Sequence, residues 1–268
     1  MKIFLNGNIE NKEKATQLLE PGFLFGWGVF EPARIYNQKI PFLDKHIKRL
    51  EDSLQLIGIE KPDLDYQEIV KILLDQNCLT DAYLRITVYK QRKGTGVIIY
   101  VAPFEYYKEA AYKQGFKVIV SPHLRSKSSF NSKIKSISYL QNRISWLEAQ
   151  KKGAQEALVL SSNSKLIGGT RSNVFFIKNN RLVTPSKESG AFSGITREII
   201  LEIAKNLDIK IEERIVEQNE LENCQEAFIT SALMEVMPIV SCCDKMIGKG
   251  IPGKLSLKIL EEYRKLAK

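Results

Sequence analysis

The chain changes its hydrophobic period several times. Lys2 to Leu5 alternates as a short strand does, and Asn6-Gly7 is a tight-turn pair. Val29 to Tyr36 reads as a strand, and Asn37-Gln38 turns it into a second extended run, Ile40 to Leu43. Ile47, Leu50, Leu54 and Ile57 then recur at helical spacing, with Asp44 as expected N-cap and Gly58 as the stop. A second helix is predicted over Asp65 to Gln76, then strands over Ala82 to Tyr89 and Val97 to Ala102 around Lys93-Gly94-Thr95-Gly96. Glu105 to Gln114 is polar, helical or linking. Beyond it come a strand at Phe116 to Ser121 and a polar segment, Arg125 to Lys133, read as mobile. A helix from Tyr139 to Lys152 stops at Gly153, and strands follow at Glu156 to Ser161, through Val174-Phe175-Phe176, and at Arg181 to Thr184 after an Asn179-Asn180 turn. Ile199, Ile200, Ile203, Ala204 and Leu207 mark a strong helix, Ala227 to Thr230 a strand, and Gly253 to Leu266 a closing amphipathic helix. The first half thus alternates strands and helices as α+β, and the second is richer in strands. The division falls near Ala110, giving domains 1–110 and 111–268.

Composition narrows the class. With 268 residues, 44% hydrophobic and 26% charged, the chain has material for one large or two modest globular units. The start, Met1-Lys2-Ile3-Phe4-Leu5-Asn6-Gly7, turns polar too soon for a signal peptide, and no apolar run is long enough for a membrane helix. The expectation is a cytoplasmic protein. Cys78, Cys224, Cys242 and Cys243 form no C-x-x-C pair, and His46 and His123 are the only histidines, so no metal site is expected. The net charge of +9 is interleaved with acids rather than gathered into a basic stripe, which argues against a nucleic-acid partner and suits an anionic small molecule.

Three stretches carry candidate chemistry. Lys135 stands just before the apolar run Tyr139, Leu140, Ile144, Leu147, and a lysine amine forms Schiff bases with carbonyls when burial or charge lowers its pKa. Ser193-Gly194-Ile195-Thr196 opens a helix, either as an ordinary cap or as a phosphate cradle of free N–H groups and a hydroxyl. Arg49, beside the apolar stripe of its helix, is either a snorkelling surface residue or an anion clamp.

Five stretches in this order resemble the class IV aminotransferases, fold-type IV enzymes that use pyridoxal 5'-phosphate. They are Phe25-Gly-Trp-Gly-Val-Phe-Glu31 with Arg34, His46 to Leu50, Ile134-Lys135-Ser136, Gly169-Thr-Arg-Ser-Asn-Val-Phe175 and Ser193 to Arg197. A sixth, Ser231-Ala-Leu-Met-Glu-Val-Met-Pro238, joins an Ala-Leu-Met similar to aminodeoxychorismate lyases to a Glu-Val-Met-Pro similar to D-amino-acid aminotransferases. The resemblance implies two α/β domains, a smaller N-terminal one and a larger strand-rich C-terminal one, with the cofactor between them and a homodimer as the assembly. It implies that Lys135, rather than Lys133, bonds the cofactor. Arg49, Gly194, Ile195, Thr196, Ser231 and Ala232 would hold its phosphate, with Gly169, Ser172 and Asn173 beside it. Tyr139 would reach the ring hydroxyl or pack in the core. Phe30, Arg34 and Arg125 would meet substrate, the two arginines as carboxylate binders or as structural ion pairs.

Departures from the pattern bear on activity. Gly168 stands where the family carries a glutamate that pairs with the cofactor ring nitrogen, Trp27 where an aspartate is common, and Phe30 where some subgroups have tyrosine. The leading expectation is a 4-amino-4-deoxychorismate lyase, releasing pyruvate and 4-aminobenzoate. The alternatives are an aminotransferase for branched-chain or D-amino acids, and a weakly active or inactive cofactor-binding homologue.

Overall fold

The computed structural model describes residues 1–126, 129 and 132–268. Lys127, Ser128, Phe130 and Asn131, within the segment read as mobile, lie outside the described residues. A hairpin of β1 (Lys2–Leu5) and β2 (Asn8–Asn11) and a short helix α1 (Pro21–Phe25) lead into β3 (Gly28–Ile35). Helices α2 (Leu43–Leu56) and α3 (Tyr66–Gln76) follow, then β4 (Ala82–Lys90) and β5 (Thr95–Pro103). These three long strands form an antiparallel sheet in the order β3-β4-β5. Alternation does the sorting on β4: Ala82, Leu84, Ile86 and Val88 are buried with Leu50, Leu54, Val70 and Leu74 of the two helices, and Tyr83, Arg85 and Thr87 take the opposite face. Asp65 caps α3, accepting from the Glu68 N–H at 3.0 Å.

Two expectations for this half need correction. Ile40 to Leu43 is not a strand, because Phe42 adopts φ 56° and turns the chain directly into α2. Asp44 consequently falls inside the first turn rather than at the N-cap, where a carboxylate still favours the helix dipole.

After α4 (Glu109–Gln114) the chain builds a mixed sheet. Its strands are β6 (Phe116–Val120), β7 (Glu156–Leu160), β8 (Lys165–Gly169), β9 (Asn173–Lys178), β10 (Arg181–Pro185), β11 (Lys210–Arg214), β12 (Val216–Glu217), β13 (Glu226–Ser231), β14 (Glu235–Cys242) and β15 (Lys245–Met246). Their order is β11-β10-β9-β13-β14-β6-β7-β8-β12, with β15 on β14. Parallel pairings at β10–β11, β14–β6 and β6–β7 are made through crossovers, and β7, parallel to β6, is buried along its whole length. Helix α5 (Leu140–Lys151) packs on β7, α6 (Ile195–Asn206) on β13 and β11, and α7 (Lys254–Ala267) on β14. Phe175 stacks on Phe228 at 5.2 Å in the middle of this second core, and Ile199, Ile200 and Ile203 of α6 close it. No helix of the described residues is long and apolar enough to cross a membrane.

Candidate active site

The segment before α5 is stitched to the edge of the three-stranded sheet. Phe30 N–H donates to the Lys135 carbonyl at 2.8 Å, Ile137 N–H to the Gly28 carbonyl at 3.0 Å, and Ser138 Oγ to the Gly26 carbonyl at 3.1 Å. This bonding fixes the direction of the intervening side chains. Lys135 consequently lines a cavity of about 590 Å³ between the two sheets, with Nζ 4.8 Å from the Phe192 ring centre and 5.8 Å from that of Phe30. Lys133 is exposed instead. Burial pushes the Lys135 amine down from 10.5 to about 8; Arg49, Arg85 and Arg125 push the same way, and Glu31 opposes them. Among the described residues no carboxylate pairs with Nζ, so the amine is held poorly solvated and ready to lose its proton.

The same cavity has a cationic wall assembled from both halves of the chain. Arg49 on α2 donates Nε and Nη2 to the two oxygens of Glu31 at 2.7 and 2.6 Å, and His46 Nδ1 lies 2.9 Å from Glu31 Oε2. Burial alone would raise the Glu31 pKa; Arg49 and His46 reverse this and hold it at about 2. The remaining edge of the guanidinium reaches the Ser193 carbonyl at 3.3 Å, at the start of α6. No side chain caps α6, so its first-turn N–H groups, at Ile195 and Thr196, remain for a ligand. Gly194 keeps the approach open: a Cβ there would collide with Asn173 Oδ1, whose amide is anchored to the Phe192 carbonyl at 2.7 Å. Ser231 and Ala232 line the same end, the Ser231 hydroxyl accepting from Met234 N–H at 3.1 Å. Thr230 Oγ1 beside them is buried and lacks a hydrogen-bond partner.

Most of the residues expected from the sequence meet at this cavity: Phe30, Arg49, Arg125, Lys135, Tyr139, Gly169, Ser172, Asn173, Gly194, Ile195, Thr196, Ser231 and Ala232 all line it. Arg34 does not. It lies 3.9 Å over the Phe104 ring and 4.5 Å over Tyr36, with Nη1 3.5 Å from buried Glu235, so of its two expected roles the ion pair is the one observed. Tyr139 donates to the Thr170 carbonyl at 2.8 Å and meets Phe30 edge-on at 5.5 Å. Arg125 is buried against the Asn142 amide oxygen at 2.6 Å, and burial lowers its pKa.

Sequence reading missed Glu31, which orients Arg49, and three further lining arginines, Arg85, Arg143 and Arg171. The signal for Arg85 was present in β4, where strict alternation puts Tyr-x-Arg-x-Thr on the face away from the core. Among the described lining residues there is no aspartate or glutamate. The carboxylate nearest Gly169 belongs to Glu156 on β7, 3.2 Å from where a Cβ at Gly169 would stand. It sits behind the turn, accepting from Thr170 N–H and Oγ1, Ala157 N–H and Ser172 Oγ. The acid missing at Gly168 is therefore not restored on the cavity surface. Among the described residues no group of histidines, cysteines and acids is placed to hold a metal ion.

The cavity fits a phosphorylated aldehyde: it holds an amine with lowered basicity, a cationic cradle with free N–H donors and an unpartnered hydroxyl. Such a pairing on a two-sheet frame suits an enzyme that uses a carbonyl cofactor. The chain belongs to the amino-transferase class IV family, whose model matches residues 28–242. It is 34% identical to the D-alanine aminotransferase of Bacillus licheniformis over 97% of this chain and 94% of that one. It is 29% identical to a putative branched-chain-amino-acid aminotransferase of Methanocaldococcus jannaschii, over 98% and 96%. Its fold is similar to a T.th. branched-chain amino acid aminotransferase solved with pyridoxamine 5'-phosphate, with a TM-score of 0.88, 26% identity and coverage of 99% and 94%.

Proposed function

We propose that the protein is a pyridoxal-phosphate-dependent aminotransferase acting on small amino acids of the branched-chain or D series. The observation that carries this is the meeting of Lys135 and the Arg49–α6 cradle in one cavity. The curated relatives favour amino transfer over the pyruvate-releasing lyase reaction expected first from the sequence. The cofactor, when bound, supplies an aldehyde and an electron-withdrawing ring that takes up the charge left when a substrate loses its α-proton. The chain's own residues do the rest. Arg49, the first turn of α6 and the Ser231-Ala232 loop hold the phosphate by charge and by N–H donation. Lys135, neutral more readily than an ordinary lysine, would hold the cofactor at its aldehyde end and move the proton at the substrate α-carbon. Phe30 and Tyr139 wall the site against water, and Arg85 and Arg125 offer forks for the substrate carboxylate.

The experiment is product analysis with the purified holoprotein. Amino transfer from branched-chain or D-amino acids to 2-oxoglutarate is the expected result. Pyruvate and 4-aminobenzoate from aminodeoxychorismate would return the function to a lyase, and a cofactor absorption band without turnover on any substrate would leave a binding protein weakened by Gly168. We further propose that residues 1–110 and 111–268 are its two domains and that it works in the cytoplasm as a homodimer. Exposed apolar side chains support the dimer: Leu140 on α5, 70% exposed, and Ile98 and Tyr100 on β5, 53% and 54% exposed. A monomeric mass by light scattering would overturn that assembly.

A further inference from the structure

Two guanidiniums share one indole at the rim of the cavity. Arg143 and Trp146 stand one turn apart on α5, and the Arg143 Cζ lies 4.3 Å over the Trp146 ring. Arg171, from the turn between β8 and β9, lies 4.9 Å over the same ring. Both arginines line the cavity. Bringing like charges onto one aromatic ring is unfavourable unless an anion joins them, and the protein supplies little. Arg143 forms no ion pair among the described residues. Arg171 comes only within 3.7 Å of Glu156, whose oxygens already accept from Thr170, Ala157 and Ser172. Two donors in this cluster, Arg171 Nε and Trp146 Nε1, are buried without a hydrogen-bond partner. A buried unpaired donor costs free energy that an incoming oxygen acceptor recovers. The phosphate cradle has a cation of its own in Arg49, oriented by Glu31 and the start of α6.

We infer that Arg143 and Arg171, bracketed on Trp146, form a second anion subsite that takes the distal carboxylate of a dicarboxylic amino acid or 2-oxo acid. This deepens the aminotransferase reading and rests on it for the identity of the reacting end. The shape of the bracket suits a planar carboxylate, which two guanidinium forks can grip from either side. It makes the protein discriminate between otherwise similar chains by their far end, while the near carboxylate is left to Arg85 and Arg125.

The test is calorimetric binding of non-reacting acids to the cofactor-loaded protein. Glutarate is compared with valerate, which matches its length but has one carboxylate. We expect wild type to bind glutarate at least tenfold tighter, and R143A and R171A each to erase that preference. R143K, which keeps the charge, is expected to restore part of it. Arg143 is exposed on a helix, so R143A keeps the test decisive should R171A fail to fold. Equal affinity for the two acids in wild type, or a preference that survives R143A, overturns the subsite. Absence of amino transfer with the glutarate preference intact and abolished by R143A overturns the aminotransferase reading and leaves the subsite standing.

Discussion

Replacing Glu31 with glutamine should expose how much the anion cradle depends on one buried carboxylate. In the folded protein this group is held at about 2, against an ordinary 4.5, by Arg49 and His46 working against burial. That depression corresponds to on the order of 3 kcal/mol of stability. It is at the lower end of the roughly 3–5 kcal/mol lost when one partner is removed from a buried ion pair. The folded carboxyl binds its proton less readily than the unfolded one, so the stabilisation is complete above about pH 4.5 and disappears as pH falls through about 2. E31Q at pH 7 is therefore expected to lose about 3 kcal/mol in urea unfolding of the cofactor-free protein, or about 6–12 °C in Tm at this chain length. The gap between wild type and variant should stay level from about pH 7 to about pH 5 and narrow below that. A loss under about 1 kcal/mol, or a gap unchanged at about pH 3, would refute the assignment of Glu31 as the charge that fixes Arg49.

Three other outcomes follow from the same geometry. With its amine at about 8, Lys135 is neutral in roughly one molecule in ten at pH 7, so the rate of covalent cofactor uptake should climb with pH and level off above about 8; a rise continuing past about pH 10 would mean an ordinary solvated lysine. G194A should weaken pyridoxal phosphate binding by about 1–3 kcal/mol, because its Cβ would overlap Asn173 Oδ1, and an unchanged Kd by absorbance titration would show that the α6 entrance is looser than it looks. E156Q should lower the Tm with a cost of about 2–3 kcal/mol, since the fully buried carboxylate ties the turn at Thr170 and Ser172 to β7; an unchanged melting curve would count against that fastening.

Much of the frame was legible in the primary structure because it rests on local rules. The alternation of β4, the spacing of Leu50 and Leu54, the second helix near Asp65 to Gln76 and the Asn179-Asn180 turn are decided by neighbours a few residues away. Where the chain departs from such rules the reading failed. Phe42 carries a positive φ that its side chain does not advertise, and it took the extended run and the Asp44 cap with it. The site divides the same way. The roles proposed for Lys135 and for the Gly194-Ile195-Thr196 helix start come from the order of several stretches together, since read alone the first is one lysine among many and the second an ordinary cap or a phosphate cradle. Glu31 acquires its role only from a helix that follows it by more than ten residues, and Arg143 and Arg171 only because α5 and the β8–β9 turn meet over one indole. Which of its two expected roles Arg34 takes is decided by Glu235, some two hundred positions away.

The cradle has a mechanical side. Arg49 rides on the helix layer of the small sheet, whereas Ser193 and the first turn of α6 belong to the large one, and Lys135 is sewn to the edge of the small sheet again. A molecule bonded at both ends would therefore act as a rivet through two plates, gripped from each side. Emptying the protein of it should let the plates shear before either melts, so that protease cleavage between them, rather than loss of helix or strand, would be the earliest sign of an unloaded chain.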